Sequence, residues 1–554
     1  MSFATTPVAR IWNLLRLERR EIMAVYFYAI MQGLILLTLP LGVQSIINFV
    51  IGASMRASLI ILIAAVVLGT GLAGFFQIKQ MKLIEKIQQK IFVRYSFSFA
   101  AHIPRLDLKK ADKYYLPELV NRFFDIPILQ KGLAKLLLDI PTASIQILLG
   151  VLLLSLYHPA FILFGIILLL LIWLILRFSG NRGLQTSIEK SNYKYAVASW
   201  LQETARVIRS LKLVKNNDLH LRKTDDNVTG YLDARNRHFS VLLFQYNVLV
   251  IFKMVITAAT LIVGTLLLIE QSLNIGQFIA AEIVILLVIS SVEKLILNLS
   301  SVYDVLTAVE KLGTLTDKPA EINGSLKMKK ESRGVKLEMK GLQFGYDEEN
   351  LVLKDMNLLA LPGEKICITG NDSAGKSTLL RLLAGAYTDF KGSYLIDDVP
   401  VGNYDLSSLR ESTGVLLNLQ DIFHGSIREN ITLGNEQISF EKIKELAAST
   451  GLQEFIATLP KGYETLLDPT GKKLPRNVVQ KILLVRALAA EPRLLLLEDP
   501  WAHVEGRHRK DLMEILDRLK NCTVVVVTRD QEFIDRCDRK VHLENGKCII
   551  KNSK

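Results

Sequence analysis

Six apolar segments occupy the first 300 residues, near 22–50, 57–79, 138–157, 159–178, 241–269 and 275–299. Each is long enough to cross a hydrocarbon layer of ~30 Å at 1.5 Å per residue. Only a helix satisfies its own backbone in lipid over such runs, so the segments read as six membrane-spanning helices. Pro40 and Pro141 fall within or at the start of spans, where they are tolerated. The loops IGASMRA (51–57), YHPA (157–160) and EQSLNIG (270–276) hold one Arg between them, whereas KQMKLIEKIQQK (79–90) and RSLKLVKNNDLHLRK (209–223) are basic. That asymmetry puts both termini in the cytosol.

Half of the 554 residues are hydrophobic, as a membrane protein requires. The formal net charge of +13 fits basic inner loops. A nucleic-acid partner is not expected, because Lys and Arg are spread along these loops rather than gathered on one aromatic-lined segment. Cys367, Cys522, Cys537 and Cys548 form no CxxC pair, so reduced cytosolic thiols are expected rather than a zinc site or a disulfide framework. Arg10 to Arg20 precede an apolar run too long for a signal peptide.

The basic inner loops carry apolar residues at helical spacing in EKIQQKIFVRYSFSFAAHI and SWLQETARVIRSLKLVKN, and read as helices continuing out of the spans. A membrane domain over 1–315 and a polar, turn-rich linker over 316–335 are expected. Beyond the linker, over 336–554, short apolar runs (KICITG, RLLLLE, TVVVVT) alternate with helical segments, the pattern of an α/β domain. Gly370, Asn371, Asp372, Ser373, Ala374, Gly375, Lys376, Ser377 and Thr378 follow one such strand and open a helix. They match GxxxxGK[ST], in which backbone N–H groups cradle phosphates, Lys376 reaches the outer phosphates and Ser377 ligates Mg²⁺. A chance glycine turn is the bland alternative, and the strand–helix context argues against it. Tyr346, upstream in FGYDEEN, is a candidate for stacking on a purine; a lone Tyr there more often packs.

With these motifs the chain resembles the ATP-binding cassette (ABC) exporters of half-transporter type. The resemblance continues through DLSSLR (405–410), FHGSIRENI (423–431) and QKILLVRALAAEPRLLLLED (480–499). In the membrane half, LDLKKADKYYLPELVNRF and ETARVIRSLKLVKNN resemble the segments around the two coupling helices, and IGQFIAAEIVILLVISSVEKL the last span. It implies an α-helical six-span transmembrane domain of ABC exporter type followed by an α/β P-loop nucleotide-binding domain. It further implies ATP and Mg²⁺ as ligands and a bacterial-type inner cell membrane as the location. The expected partner is a second copy or a related half-transporter, with two ATPs held between paired nucleotide-binding domains.

The chain departs from the family's pattern at most catalytic positions. The Q-loop glutamine position holds Asn418, with Gln420 two residues on. The LSGGQ signature position holds Leu474, Pro475, Arg476, Asn477 and Val478. The Walker B aspartate is Glu498, the catalytic glutamate is Asp499 and the H-loop histidine is Arg529. The D-loop position reads Ala502, His503, Val504, Glu505. Glu498 remains able to ligate Mg²⁺. Asp499 is one methylene short for a base that must reach its water at about 2.6–3.2 Å. Arg529 cannot take a proton but offers fixed charge to a γ-phosphate, unless it is simply solvated. Pro475 removes a hydroxyl and an N–H, although proline suits a first helical position, and Arg476 offers charge instead, unless it points into water.

Two functions of different class compete: an exporter with slow hydrolysis, and a nucleotide-gated membrane regulator that does not itself transport. A leader-cleaving exporter is not expected, since no protease domain precedes the first span, and peptide or protein export is favoured over lipid or drug. Lys253, Glu282, Glu293 and Lys294 fall within spans, as functional groups or as helix-pairing and snorkelling charges.

Overall fold

The computed structural model describes residues 6–52, 56–112, 114–213, 218–329, 331–347, 349–418, 420–468, 474–502, 504 and 506–550. The chain forms two compact units, Met1–Pro104 with Tyr114–Lys318, and Arg105–Lys113 with Pro319–Lys554.

In the first unit, six helical stretches among the described residues are long and apolar enough to cross a membrane: Arg19–Ile51, Ala57–Arg105, Leu116–Tyr157, Ala160–Arg206, Leu219–Ile269 and Ile275–Thr316. The fourth has 47 residues and the fifth 51. At 1.5 Å per residue both exceed about 70 Å, more than twice the ~30 Å of hydrocarbon, so these helices continue beyond the hydrocarbon, as does the 49-residue second stretch that carries EKIQQKIFVRYSFSFAAHI. The first stretch is interrupted at Leu37, between helices Arg19–Leu36 and Thr38–Ile51. Pro40 sits in the first turn of the second piece, where its missing N–H has no helical partner to lose. Pro141 lies buried inside Ile126–Tyr157.

The bundle packs through Leu154, Leu168, Leu249, Val284 and Ile285. Gly150 lets two spans approach closely; a Cβ there would lie 2.5 Å from Val288 Cγ2. Buried polar groups find each other, as hydrocarbon demands. Gln245 Nε2 donates to Ser179 Oγ (2.7 Å) and to Tyr303 Oη (2.9 Å), and Ser291 Oγ donates to Gln146 Oε1 (2.8 Å). Lys253 pairs with Glu293 across two spans, while Lys294 is exposed and Glu282 half-buried. The pairing role thus falls to Lys253 with Glu293.

The second unit has two sheets. A four-stranded antiparallel sheet runs β2 (Leu351–Ala360), β1 (Leu337–Gly345), β4 (Lys391–Ile396), β5 (Val399–Pro400). A six-stranded sheet runs β10 (Lys547–Ile550), β9 (Arg539–Glu544), β3 (Lys365–Gly370), β8 (Thr523–Val527), β7 (Leu494–Glu498), β6 (Thr413–Leu416). It is parallel from β9 to β6, and β10 adds antiparallel. Both faces of a parallel sheet are covered, which is why LLLLE and TVVVV are continuous apolar runs, buried at every position. The carboxyl ends of β3, β7 and β8 are neighbours, and a ligand crevice opens at such ends.

The short helix Leu108–Ala111, which follows the second long stretch in sequence, belongs to this second unit. Asp107 caps it, Leu106 bridges Ala320, and Lys109 reaches Asp389 at 2.9 Å and the Phe344 ring. Tyr387 Oη donates to Asp112 Oδ2 at 3.3 Å. The polar stretch after the last span is strapped rather than loose. The buried Arg493 guanidinium donates to the carbonyls of Lys329 (3.1 Å) and Arg333 (2.8 Å) and pairs with Asp397 (2.9 Å). The helix Ile208–Leu213 follows the fourth long stretch, and residues 214–217 are outside the described ones.

Candidate functional site

Residues 370–377 leave β3 and turn into the helix Lys376–Leu383. The turn needs left-handed backbone at Ser373 (φ 65°) and Gly375 (φ 98°). A Cβ at Gly375 would lie 2.9 Å from Leu353 Cδ2 and 3.3 Å from the Val352 carbonyl, so glycine is required for the approach as well as the torsion. Lys376 folds back over the loop, donating to the carbonyls of Gly370 (2.9 Å) and Asn371 (2.6 Å). Ala374 N donates to Asn371 O at 3.3 Å, closing the turn.

Facing this loop is the end of β7. Glu498 is 5% exposed, accepts from Ser377 Oγ, and accepts the Asn418 amide N–H at 3.0 Å. Asp499 adopts left-handed backbone (φ 45°). Its N–H donates to Val527 O (2.8 Å) and its carbonyl accepts Gln480 Nε2 (3.0 Å), so its main chain is pinned at both ends. Burial raises the Asp499 carboxyl above its ordinary pKa, and the charge of Glu498 adds to the effect; Arg529 and Lys376 oppose it. Arg529, just past β8, is paired with Asp372 of the phosphate loop.

These groups line one cavity of about 390 Å³: Gly370, Asp372, Ser373, Gly375, Lys376, Ser377, Thr378, Asn418, Glu498, Asp499 and Arg529, with Val352, Val527 and Thr528. Asn418 faces the cavity, whereas Gln420 turns back to accept the Leu417 N–H at 3.0 Å. Tyr346 is not among the lining residues. Its hydroxyl shares a hydrogen bond with Thr378 Oγ1 (3.1 Å) and accepts from Arg381 (3.2 Å), and its ring meets Phe344 and Tyr387 edge-on. Arg476 lies outside the cavity, exposed, as the first residue of the helix Arg476–Ala489. Pro475 is the N-cap of that helix rather than its first helical residue, and its carbonyl accepts the Val478 N–H at 3.0 Å. His503 and Glu505 lie outside the described residues.

No group of three or more His, Cys, Asp or Glu among the described residues forms a metal cage. Mg²⁺ normally takes one or two carboxylates and completes its shell with phosphates and water, and Ser377 Oγ beside Glu498 is a donor set of that kind. Sequence reasoning missed Val352, Val527, Thr528 and Gln480. Val352 comes from β2 of the other sheet, Val527 and Thr528 from the end of β8, and the Gln480 contact spans 19 positions.

Residues 22–292 match the family described as ABC transporter transmembrane region, and residues 353–502 match the one described as ABC transporter. The chain belongs to the ABC transporter family. It has half-transporter architecture, one membrane region joined to one ATP-binding domain, and is a multi-pass membrane protein.

This ABC transporter chain is 28% identical over 350 residues to the alpha-hemolysin translocation ATP-binding protein HlyB of Escherichia coli O157:H7, covering 63% of this chain and 49% of that protein. It is 33% identical over 218 residues to the uncharacterized ABC transporter ATP-binding protein YfiC of Bacillus subtilis, covering 39% of this chain and 36% of that one. The chain thus spans about half, or less, of the length of the curated relatives it matches. A solved structure of a bacterial Atm1-family ABC exporter with ATP bound superposes with a TM-score of 0.82, covering 96% of this chain and 95% of that one at 18% identity, a likeness of fold.

Proposed function

We propose that this chain is one half of a dimeric exporter that clamps Mg-ATP and hydrolyses it slowly. The observation that carries this reading is the single cavity in which a complete phosphate loop faces the Glu498–Asp499 pair. Lys376 and the loop N–H groups bind the phosphates, and Ser377 and Glu498 hold Mg²⁺, which supplies charge neutralisation at the β- and γ-phosphates. Asp499 orients and deprotonates the attacking water from a short reach. Asn418 stands where the Q-loop glutamine would, and Arg529 offsets charge at the γ-phosphate. Tyr346 stacks on the purine once its ring is released from its packing. Arg476, exposed at a helix start, acts on the nucleotide of a partner chain, which is a second copy or a related half-transporter.

Peptide or protein cargo is favoured, in keeping with the toxin translocators among the relatives. The proposed location is a bacterial-type cell membrane with both termini cytosolic. Purification with and without candidate partner chains, followed by ATPase and stoichiometry measurements, tests the reading. Monomers that bind nucleotide without retaining it between chains would favour the non-transporting regulator instead.

Two further outcomes are expected. A cysteine at Ser272 should react with an impermeant thiol reagent from outside intact cells, and one at Lys212 should not; the reverse pattern would overturn the orientation. The raised Asp499 carboxyl displaces the acid limb of the ATPase profile upward from the ordinary aspartate value of ~3.9. Activity therefore rises with pH as Asp499 ionises. Because Arg529 opposes the upward shift, Arg529→Gln should move the limb to still higher pH, and an unmoved limb would remove Asp499 as the titrating base.

A further inference from the structure

We infer that Asp372 and Arg529 form an exchangeable ion pair through which the site discriminates nucleotides that carry a γ-phosphate from those that do not. The inference rests on the proposed seating of Mg-ATP in this cavity and names the residue that regulates it.

The charged groups lining the cavity are Lys376 and Arg529 against Asp372, Glu498 and Asp499. The protein alone thus sets three carboxylates against two cations, and a bound Mg²⁺ is needed to reverse that balance for a polyanion. Lys376 and Glu498 are held at their charged groups, and Asp499 through its main chain. Lys376 is bonded to two loop carbonyls, Glu498 accepts from Ser377 and the Asn418 N–H, and the main chain of Asp499 is pinned on both sides. Asp372 and Arg529 differ. Their side chains are 85% and 70% exposed, and they meet across 157 positions of sequence in the cavity lining.

An exposed ion pair is weak and exchanges readily. A carboxylate is acceptor-only, so Asp372 cannot donate to a phosphate oxygen as Ser or Asn would from the same place. Its direct effect on a terminal phosphate is repulsion. With no γ-phosphate present, Arg529 stays on Asp372. A γ-phosphate offers Arg529 more negative charge in bidentate geometry and takes it over, while exposing itself to Asp372. Asp372 thus weakens ATP selectively, and Arg529 is the element through which it acts.

The test uses purified full-length protein in lipid nanodiscs and equilibrium binding of Mg-ADP and of a non-hydrolysable Mg-ATP analogue. Asp372→Asn, with Asp372→Ser as a second variant, should raise affinity for the ATP analogue about five-fold and for ADP less than about two-fold. Arg529→Gln should weaken the analogue and leave ADP nearly unchanged. In that background the gain from Asp372→Asn should shrink to about two-fold, because no pair remains to be broken. Equal gains for both nucleotides, or the same gain with and without Arg529, would overturn the exchange. Lys376→Ala separates the two levels. If it leaves analogue binding intact, the nucleotide is not in this cavity and the underlying reading fails. If it removes binding while Asp372→Asn changes nothing, only the exchange fails.

Discussion

Lys376→Ala is expected to lower Mg-ATP affinity by about 100-fold, roughly 3 kcal/mol from lost charge-assisted hydrogen bonds. The ammonium already sits over the loop, held by the Gly370 and Asn371 carbonyls, and needs only to exchange these acceptors for phosphate oxygens. Removing it leaves the loop N–H groups and the helix N-terminus, which retain a weak general affinity for anions. Lys376→Arg keeps the charge but replaces a compact ammonium by a planar fork that cannot enter the same space, so it should recover only part of the loss. Equilibrium binding of a non-hydrolysable analogue measures both variants. Wild-type affinity in Lys376→Ala would remove the case for this cavity as the ATP site.

The membrane spans were legible because lipid imposes length and hydropathy directly on the sequence. The expected 22–50 lies within the observed Arg19–Ile51, and the expected 241–269 ends at the same residue as Leu219–Ile269. The break at Leu37 is not a hydropathy signal, since both pieces are apolar; its local mark is Pro40, which has no N–H to give the Leu36 carbonyl. The phosphate loop was legible because its chemistry is local in sequence. Most of what surrounds it is not. Nothing near Asp372 in the chain indicates Arg529, and nothing near Asp499 indicates Gln480; the parallel strands β3 and β8 bring the first pair to one edge, and the helix Arg476–Ala489 carries Gln480 to the end of β7. The same holds for Leu108–Ala111, which follows a membrane helix in sequence yet belongs to the nucleotide-binding unit. Asn418, at the expected Q-loop position, lines the cavity, and Gln420 does not. Tyr346 shows the opposite outcome. Its type suits purine stacking, but packing against Phe344 and Tyr387 occupies the ring in this structure.

Exchanging the acidic pair, Glu498→Asp together with Asp499→Glu, is expected to raise ATP turnover by roughly 10- to 100-fold, a part of the 10²–10⁴ that a well-placed general base contributes. The argument is geometric. Because the Asp499 main chain is fixed by Val527 O and Gln480, a longer side chain there extends the carboxylate by about one C–C bond, ~1.5 Å, instead of shifting the backbone. On the proposed mechanism that added reach carries the carboxylate toward the water it must activate. The backbone at 499 is left-handed, a conformation aspartate tolerates better than glutamate, so the exchange carries a modest stability cost of about 1 kcal/mol. Glu498→Asp simultaneously lengthens the contacts to Ser377 Oγ and the Asn418 N–H, leaving room for a cation between carboxylate and hydroxyl. A second restoration, Pro475→Ser with Arg476→Gly and Asn477→Gly, should raise turnover further. It returns a hydroxyl and an N–H to the start of the helix Arg476–Ala489, on the face proposed to meet a partner's nucleotide. Steady-state phosphate release in nanodiscs reads both steps. Turnover in the starting protein as fast as in the fully restored one would sink the slow clamp. A fully restored chain that binds ATP and still does not hydrolyse it would favour the regulator.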